Sequence, residues 1–428
     1  MGEVIEGSRL SGAHVVASSR ARKSRTAPVV TFAPTQYPAL PANHPLWQLP
    51  SPTLISSPKQ AGENMAAAQR AFAFDGLDVN VGYAMKSNPH PALLSAVADQ
   101  RDSWFEVASK AEISALENIG VGGDRIFFSN PIKQPAHIAH AVKLGVKLFV
   151  YDSEAELEKL AQFNDPSNPL EVYVRMTVSH TGALWPLTHK FGVEPGKAVQ
   201  LLKLAKARGL KPVGMAFHVG SQCSRPQTWV DALRECAPAW AAARAEGLEL
   251  DMIDIGGGFP TRYTGPVPTF SEVAQAVKPA LDETMPGAKR LFIEPGRSIC
   301  GNTTDMVLTV TGVAERPDGQ TWLYLDGGYF QGLYEIPDGI RPAAHPVVAD
   351  PRPINMVTYR LAGPTCDSLD TLFEMRSPVE MKIGDKIVLK NTGAYVYSVG
   401  SPFNGFALPD MLNADEWMIN RDEFPGMC

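Results

Sequence analysis

Cysteine is scarce and scattered: five residues in 428, at Cys223, Cys236, Cys300, Cys366 and Cys428, with no C-x-x-C pair among them. That spacing excludes a disulfide framework and offers no zinc-ligand pattern, so no metal is expected and a reducing, cytoplasmic setting is. An excess of positive charge is also missing. The formal net charge is −6, which argues against nucleic acid or another polyanion as partner. No apolar run reaches membrane-spanning length, so no membrane partner is expected. There is no low-complexity repeat and no heptad run. What remains is ordinary globular composition, 44% hydrophobic and 20% charged, enough for two domains with a core each. Residues 1–45 stand apart. They are rich in Ser, Ala, Pro and Arg, with a basic cluster at Arg20, Arg22, Lys23 and Arg25, and they have no continuous apolar core of a signal peptide. A flexible N-terminal tail is the expectation for them.

From about residue 60 the pattern alternates short apolar strands with helices. Strands are predicted at 79–86, 104–108, 125–129, 148–151, 171–177, 213–219, 252–256 and 291–294. Helices are predicted at 63–74, 111–119, 135–144, 153–163, 197–208 and 228–246. Such repeated strand–helix units predict a (β/α)8 barrel over residues 46–300. In barrels of this kind the chemistry sits at the C-terminal ends of the strands. The unusual polar residues fall there: Lys86, Glu106, Arg175, His218, Gly256 to Gly258, Glu294 and Arg297. After residue 300 the texture changes to strand-like runs at 306–310, 321–325, 355–359 and 386–389. That predicts an all-β domain over 301–428, with a contribution from N-terminal residues.

Lys86 closes the apolar stretch Val79–Met85, and Asn88-Pro89 ends the strand. Burial lowers a lysine's pKa and frees its amine for Schiff-base chemistry, while a strand-end lysine that snorkels to solvent is the plainer alternative. Asp254-Ile255-Gly256-Gly257-Gly258-Phe259-Pro260 exposes backbone N–H groups to which a phosphate can come close, although a tight turn explains such a run equally well. It is neither a dinucleotide fingerprint nor a P-loop. Glu294-Pro295-Gly296-Arg297 offers a carboxylate that could keep a pyridine nitrogen protonated, or simply an ion pair at a strand end. His218 could stack on a planar cofactor or be structural, and Ser221 could reach a phosphate. In Gly363-Pro364-Thr365-Cys366-Asp367 a cysteine beside an acid could deliver a proton, and Asp367 could pair with a cationic substrate. Tyr395 offers a phenol that binds phosphate or packs.

Together with Val107-Ala108-Ser109-Lys110-Ala111-Glu112-Ile113, these motifs occur in one family order. Over residues 60 to 410 the chain resembles the fold-type III pyridoxal-phosphate decarboxylases, the ornithine/lysine group in particular. The resemblance implies an alanine-racemase-like pairing of barrel and β domain, pyridoxal 5'-phosphate as cofactor, and a head-to-tail homodimer with shared sites. It implies a Schiff base on Lys86, Glu294 at the pyridine nitrogen and His218 stacked on the ring. Gly257, Gly258, Ser221, Arg297 and Tyr395 would hold the phosphate, and Glu106 and Arg175 would support the ring. Cys366 and Asp367 would reach in from the partner, Cys366 as proton donor, and Lys190 and Asp370 would form an inter-subunit ion pair. Tyr334, Glu335, Asp367 and Phe403 would surround the substrate. The activity implied is decarboxylation of ornithine or lysine. Diaminopimelate, arginine or a derivatised amino acid are alternatives, because Glu335 stands where ornithine enzymes commonly carry Asp and the segment 182–186 is atypical. A non-catalytic regulator of the same build is disfavoured by the presence of Lys86, Glu294, Arg297 and Cys366.

Overall fold

A computed structural model of the chain describes residues 39–186, 190–350 and 352–424. The tail expected over 1–45 lies outside the described residues as far as 38. Leu40 is already buried, and its N–H donates to the Val348 carbonyl at 3.2 Å. A short strand, β1 (Thr53–Ser56), precedes the helix Pro58–Ala71. Then follow β2 (Asp78–Ala84), β3 (Ser103–Val107), β4 (Ile126–Phe128), β5 (Leu148–Tyr151), β6 (Glu171–Arg175), β7 (Ala183–Trp185), β8 (Lys211–Ala216), β9 (Ser221–Cys223), β10 (Met252–Asp254) and β11 (Arg290–Ile293). Eight of these close a parallel barrel in the order β10-β11-β2-β3-β4-β5-β6-β8. All eight barrel strands coincide with those predicted. Apart from polar residues, most of them at the strand ends, they are apolar on both faces, as strands buried inside and out must be. Phe127, Val150, Tyr173, Val213, Met252 and Phe292 fill the interior, with Phe127 and Phe292 packed edge to face at 5.2 Å. The outward faces pack on the surrounding helices.

β7 and β9 lie outside this series and were not predicted. They form a small antiparallel ribbon over the barrel mouth, with Trp185 opposite Ser221. Besides the single turns Arg297–Cys300 and Val396–Val399, two longer helices also escaped prediction. Pro91–Ala98 starts with proline in its first turn, a residue that reads as a breaker yet is well suited to that position. Phe270–Thr284 carries Pro279 in its interior and is fixed at its start by a capping box of Thr269 and Glu272.

The second domain is the expected all-β unit. Its strands are β12 (Thr304–Glu315), β13 (Thr321–Leu325), β14 (Ala344–Val347), β15 (Pro353–Ala362), β16 (Thr371–Val379), β17 (Lys386–Leu389) and β18 (Asp410–Asn413). The sheet runs β14-β17-β12-β13-β15-β16. β1 lies antiparallel beside β12, with Thr53 opposite Val307, and parallel beside β18. Residues 53–56 are therefore hydrogen-bonded into this sheet, although they precede the barrel in sequence. Among the described residues no helix is long and apolar enough to cross a membrane.

Candidate active site

Parallel register alone brings the polar residues of the barrel to one mouth. Ala84 pairs with Glu106 across β2 and β3, so Lys86, one turn past β2, meets the Glu106 carboxylate in a direct ion pair. Glu106 is buried, whereas 42% of the Lys86 side chain stays accessible, so the amine can be reached. On the far side, the Glu294 N–H donates to the Gly256 carbonyl at 2.8 Å, joining the ends of β10 and β11. Arg175 ends β6 and His218 lies two residues beyond β8.

The charges at this mouth are set by one another. Burial draws the Lys86 pKa down, but Glu106, Glu294 and Tyr395 draw it up further, and the net shift is upward. This is opposite to the direction expected from burial alone. His218 moves the other way: burial, then repulsion from Arg175 and Lys86, hold its pKa well below the ordinary value. The imidazole is therefore neutral near pH 7. Its Nδ1 accepts the Gly220 N–H at 2.9 Å, which leaves the ring proton on Nε2. Glu294 and Asp254 are both pushed up, each first by burial and then by a neighbouring acid, Glu106 for Glu294 and Glu294 for Asp254. Glu112, whose side chain accepts the Ala108 N–H, is pushed up to about 7 by burial and Glu106.

The residues expected at a phosphate also converge. Arg297 is buried, 3% exposed, and donates from Nη2 to Ser221 Oγ at 3.2 Å. Its guanidinium lies 4.8 Å from the centre of the Tyr395 ring. Tyr395 itself sits at φ +67 and is tied by its N–H to the Ser87 carbonyl at 2.6 Å. A side chain at Gly257 would fall 3.0 Å from His218 Nε2, and one at Gly258, where φ is +98, would fall 2.4 Å from the Gly220 carbonyl. The glycines thus keep open a backbone cradle between His218 and Ser221 that any Cβ would fill. Glu294 Oε1 and Arg297 Nε are buried without a hydrogen-bond partner. A planar, phosphorylated cofactor fits this donor set: a lysine for the aldehyde, an acid for a ring nitrogen, an imidazole face and an anion cradle.

The residues expected around the substrate are placed differently. Glu335 is buried and gives both carboxylate oxygens to Arg297, at 2.6 and 2.8 Å. The acid expected among the substrate-binding residues thus braces an arginine. Tyr263, which sequence reasoning missed, completes that brace through a hydrogen bond of 2.8 Å to Nη1. Its only sequence signal is its place three residues past Phe259-Pro260. Tyr334 meets the edge of Trp185 at 5.7 Å, so the atypical 182–186 segment leans on the stretch carrying Glu335. Cys366 and Asp367 lie on the β domain. The thiol is exposed and donates to Asn404 Oδ1 at 3.2 Å, and Asp367 Oδ1 accepts the Leu369 N–H at 2.8 Å. Phe403 stacks on Phe330 at 4.4 Å. Asp370 is buried, its oxygens accepting the N–H groups of Tyr329 and Thr365 at 2.7 and 2.9 Å. Lys190 lies 5.0 Å over the Phe191 ring.

Residues 59–301 match the family described as pyridoxal-dependent decarboxylase, pyridoxal binding domain. The lysine/ornithine decarboxylase of Selenomonas ruminantium is 32% identical over 373 residues, covering 86% of this chain and 91% of the relative. The solved structure of the Vibrio vulnificus lysine/ornithine decarboxylase complexed with putrescine superposes with a TM-score of 0.75 at 29% identity, covering 86% of this chain and 96% of that one. The arginine decarboxylase of Paramecium bursaria Chlorella virus, bound to agmatine, gives 0.77 at 26% identity, with 86% and 96% covered.

Proposed function

The chain belongs to the pyridoxal-dependent decarboxylases, and from that premise we propose that its substrate is ornithine or lysine and its product the corresponding diamine. It is a carboxy-lyase acting on basic amino acids with pyridoxal 5'-phosphate as cofactor. The observation that carries the site assignment is the cluster at the barrel mouth, where Lys86, Glu106, His218, Glu294 and the Gly257–Gly258 cradle meet. Lys86 would hold the cofactor, Glu294 its ring nitrogen, and Ser221, Arg297, Tyr395 and the glycine N–H groups its phosphate. Glu106 and Arg175 would support the ring and His218 would pack on it. When bound, the cofactor supplies an electron sink for the pair left behind by departing carbon dioxide.

The protein's own part is proton control. The upward pull of Glu106 and Glu294 keeps Lys86 Nζ protonated while the amine is free, and Glu106 holds it by direct contact. Neutral His218 adds no positive charge to the ring face. Cys366 Sγ returns a proton to the substrate's α-carbon, and Asp367 supplies the negative charge for the distal amine. Glu335 holds Arg297 in place.

This assignment calls for a homodimer. Cys366 and Asp367 make their hydrogen bonds within the β domain, to Asn404 and Leu369. Around them Leu369, Phe403, Phe406 and Leu408 are exposed, Leu369 by 55%. Apolar side chains grouped beside an exposed thiol fit an interface that delivers Cys366 to the partner's barrel mouth. The four described cysteines are all free thiols, which supports a cytoplasmic setting.

The deciding experiment is carbon dioxide release by cofactor-loaded protein from L- and D-forms of ornithine, lysine, arginine and diaminopimelate. Preference for ornithine or lysine is the expected result. Preference for arginine or diaminopimelate refutes the substrate, and silence across the panel with cofactor bound points to a derivatised amino acid.

A further inference from the structure

We propose that Asn404 is the residue that aims the Cys366 proton. The inference rests on Cys366 being the proton donor and adds what holds the thiol ready. Two hydrogen bonds end on the same atom: the Cys366 N–H and the Cys366 thiol both reach Asn404 Oδ1 at 3.2 Å. A backbone N–H can only donate, so the amide atom it meets is the oxygen. That oxygen can only accept, so the thiol at the same distance is a donor and carries its proton. A thiol held protonated until its side chain turns to the substrate is what delivery to carbon requires; a thiolate is what a nucleophile requires.

The surroundings hold this contact from both sides. Asn404 sits at φ +56 and ψ 13, in the left-handed region that asparagine tolerates better than most residues. Its loop is anchored by the Ser401 N–H on the Phe330 carbonyl at 2.7 Å and by the Phe403–Phe330 stack. The cysteine loop is fastened to the same turn, because Asp370 accepts N–H groups from both Thr365 and Tyr329. Both loops thus hang on residues 329–330, and Asn404 closes the gap between them at the thiol.

In the step itself the S–H bond breaks and a C–H bond forms at the α-carbon, using the electron pair left by carbon dioxide. The remaining thiolate takes a proton from water before the next turnover. The backbone N–H of Cys366 stays on Asn404 Oδ1 throughout, so the side chain turns on a fixed main chain. Asn404 gives and takes no proton itself; it acts through the Cys366 thiol that it holds and is a positioning residue.

The test uses the full-length, cofactor-loaded protein and compares Asn404→Gly, Asn404→Asp and Cys366→Ala. Glycine keeps the positive φ and removes the acceptor; aspartate keeps both an oxygen acceptor and a residue suited to that φ. The first readout is the ratio of aldehyde by-product, formed when the proton goes astray, to amine product. Asn404→Gly is expected to raise it by about tenfold, short of the ~100-fold that a 1 Å misplacement of a catalytic group can cost, toward the Cys366→Ala value, while Asn404→Asp stays close to wild type. The second readout needs no turnover: alkylation of Cys366 by iodoacetamide, located by peptide mass, should be severalfold faster in Asn404→Gly. Wild-type alkylation in that variant overturns the contact. Faster alkylation with a wild-type product ratio overturns the aiming role. A wild-type ratio in Cys366→Ala removes the donor assignment instead, and the alkylation result then judges Asn404 alone.

Discussion

At the scale of single residues, the acids around Lys86 do different work according to what they touch. Glu335 gives both oxygens to a buried arginine, so its loss should be felt where Arg297 acts. Glu335→Gln is expected to weaken retention of the cofactor by about tenfold, the worth of one charge-assisted bond. The substrate KM of the fully loaded enzyme should move little. Equilibrium dialysis followed by cofactor absorbance measures the first, and a raised KM with unchanged retention would return Glu335 to the distal amine. Glu112 allows a pH prediction. Its folded pKa, about 7, lies above the usual carboxylate value because of burial and Glu106, so the folded state binds its proton more tightly than the unfolded one. Stability of cofactor-free protein should therefore be highest below the unfolded pKa and fall as pH rises toward 7. Glu112→Gln should flatten that slope and gain about 3 kcal/mol above pH 7. Urea titrations at pH 5 and 8 decide it; an unchanged slope removes Glu112 as its source. The Arg297–Glu335 pair was not legible in the sequence. Its partners lie on different domains, and no local pattern records that the two carboxylate oxygens face a guanidinium.

At the scale of elements, the barrel was readable and its additions were not. All eight strands announce themselves as short apolar runs between helices, since buried parallel strands cannot hide their composition. β7, β9, β14 and β18 are no shorter than β4 and β10 but fall outside the strand–helix alternation that marks those, and the nine-residue β16 was missed as well. Helix Phe270–Thr284 was obscured by Pro279, which its buried face of Val273, Val277, Ala280 and Leu281 overrides. The glycine turn after β10 was legible as a turn, but its purpose rests on what surrounds it. At Gly258 a methyl group would meet the Gly220 carbonyl at 2.4 Å with φ at +98. Gly258→Ala should cost about 1–3 kcal/mol of stability, read from denaturant midpoints, and reduce cofactor retention as well. Wild-type stability in that variant would mean that the turn relaxes freely and the cradle is not rigid.

At the scale of the whole molecule, the proposed assignment divides the site between the barrel, which offers the amine and the anion cradle, and the β domain, which offers the thiol and an acid. If two chains exchange these halves, a subunit without its lysine is inactive as a homodimer, one without its cysteine forms amine only slowly, and the two complement one another when mixed. Lys86→Ala and Cys366→Ala subunits reassociating at random give hybrids in about half of the dimers, and each hybrid holds one site with both residues intact, so roughly a quarter of wild-type activity should return. The pure Lys86→Ala protein sets the baseline, because loss of the amine removes turnover at every site it belongs to. Mixing should restore activity only after dissociation and reassociation, and dilution should lower it as dimers separate. If activity does not recover while size measurements confirm hybrids, Lys86 and Cys366 do not meet across an interface. The exposed group around Leu369 then needs another partner, and the proton donor has to be sought on the barrel side, where Glu106 and His218 stand beside Lys86.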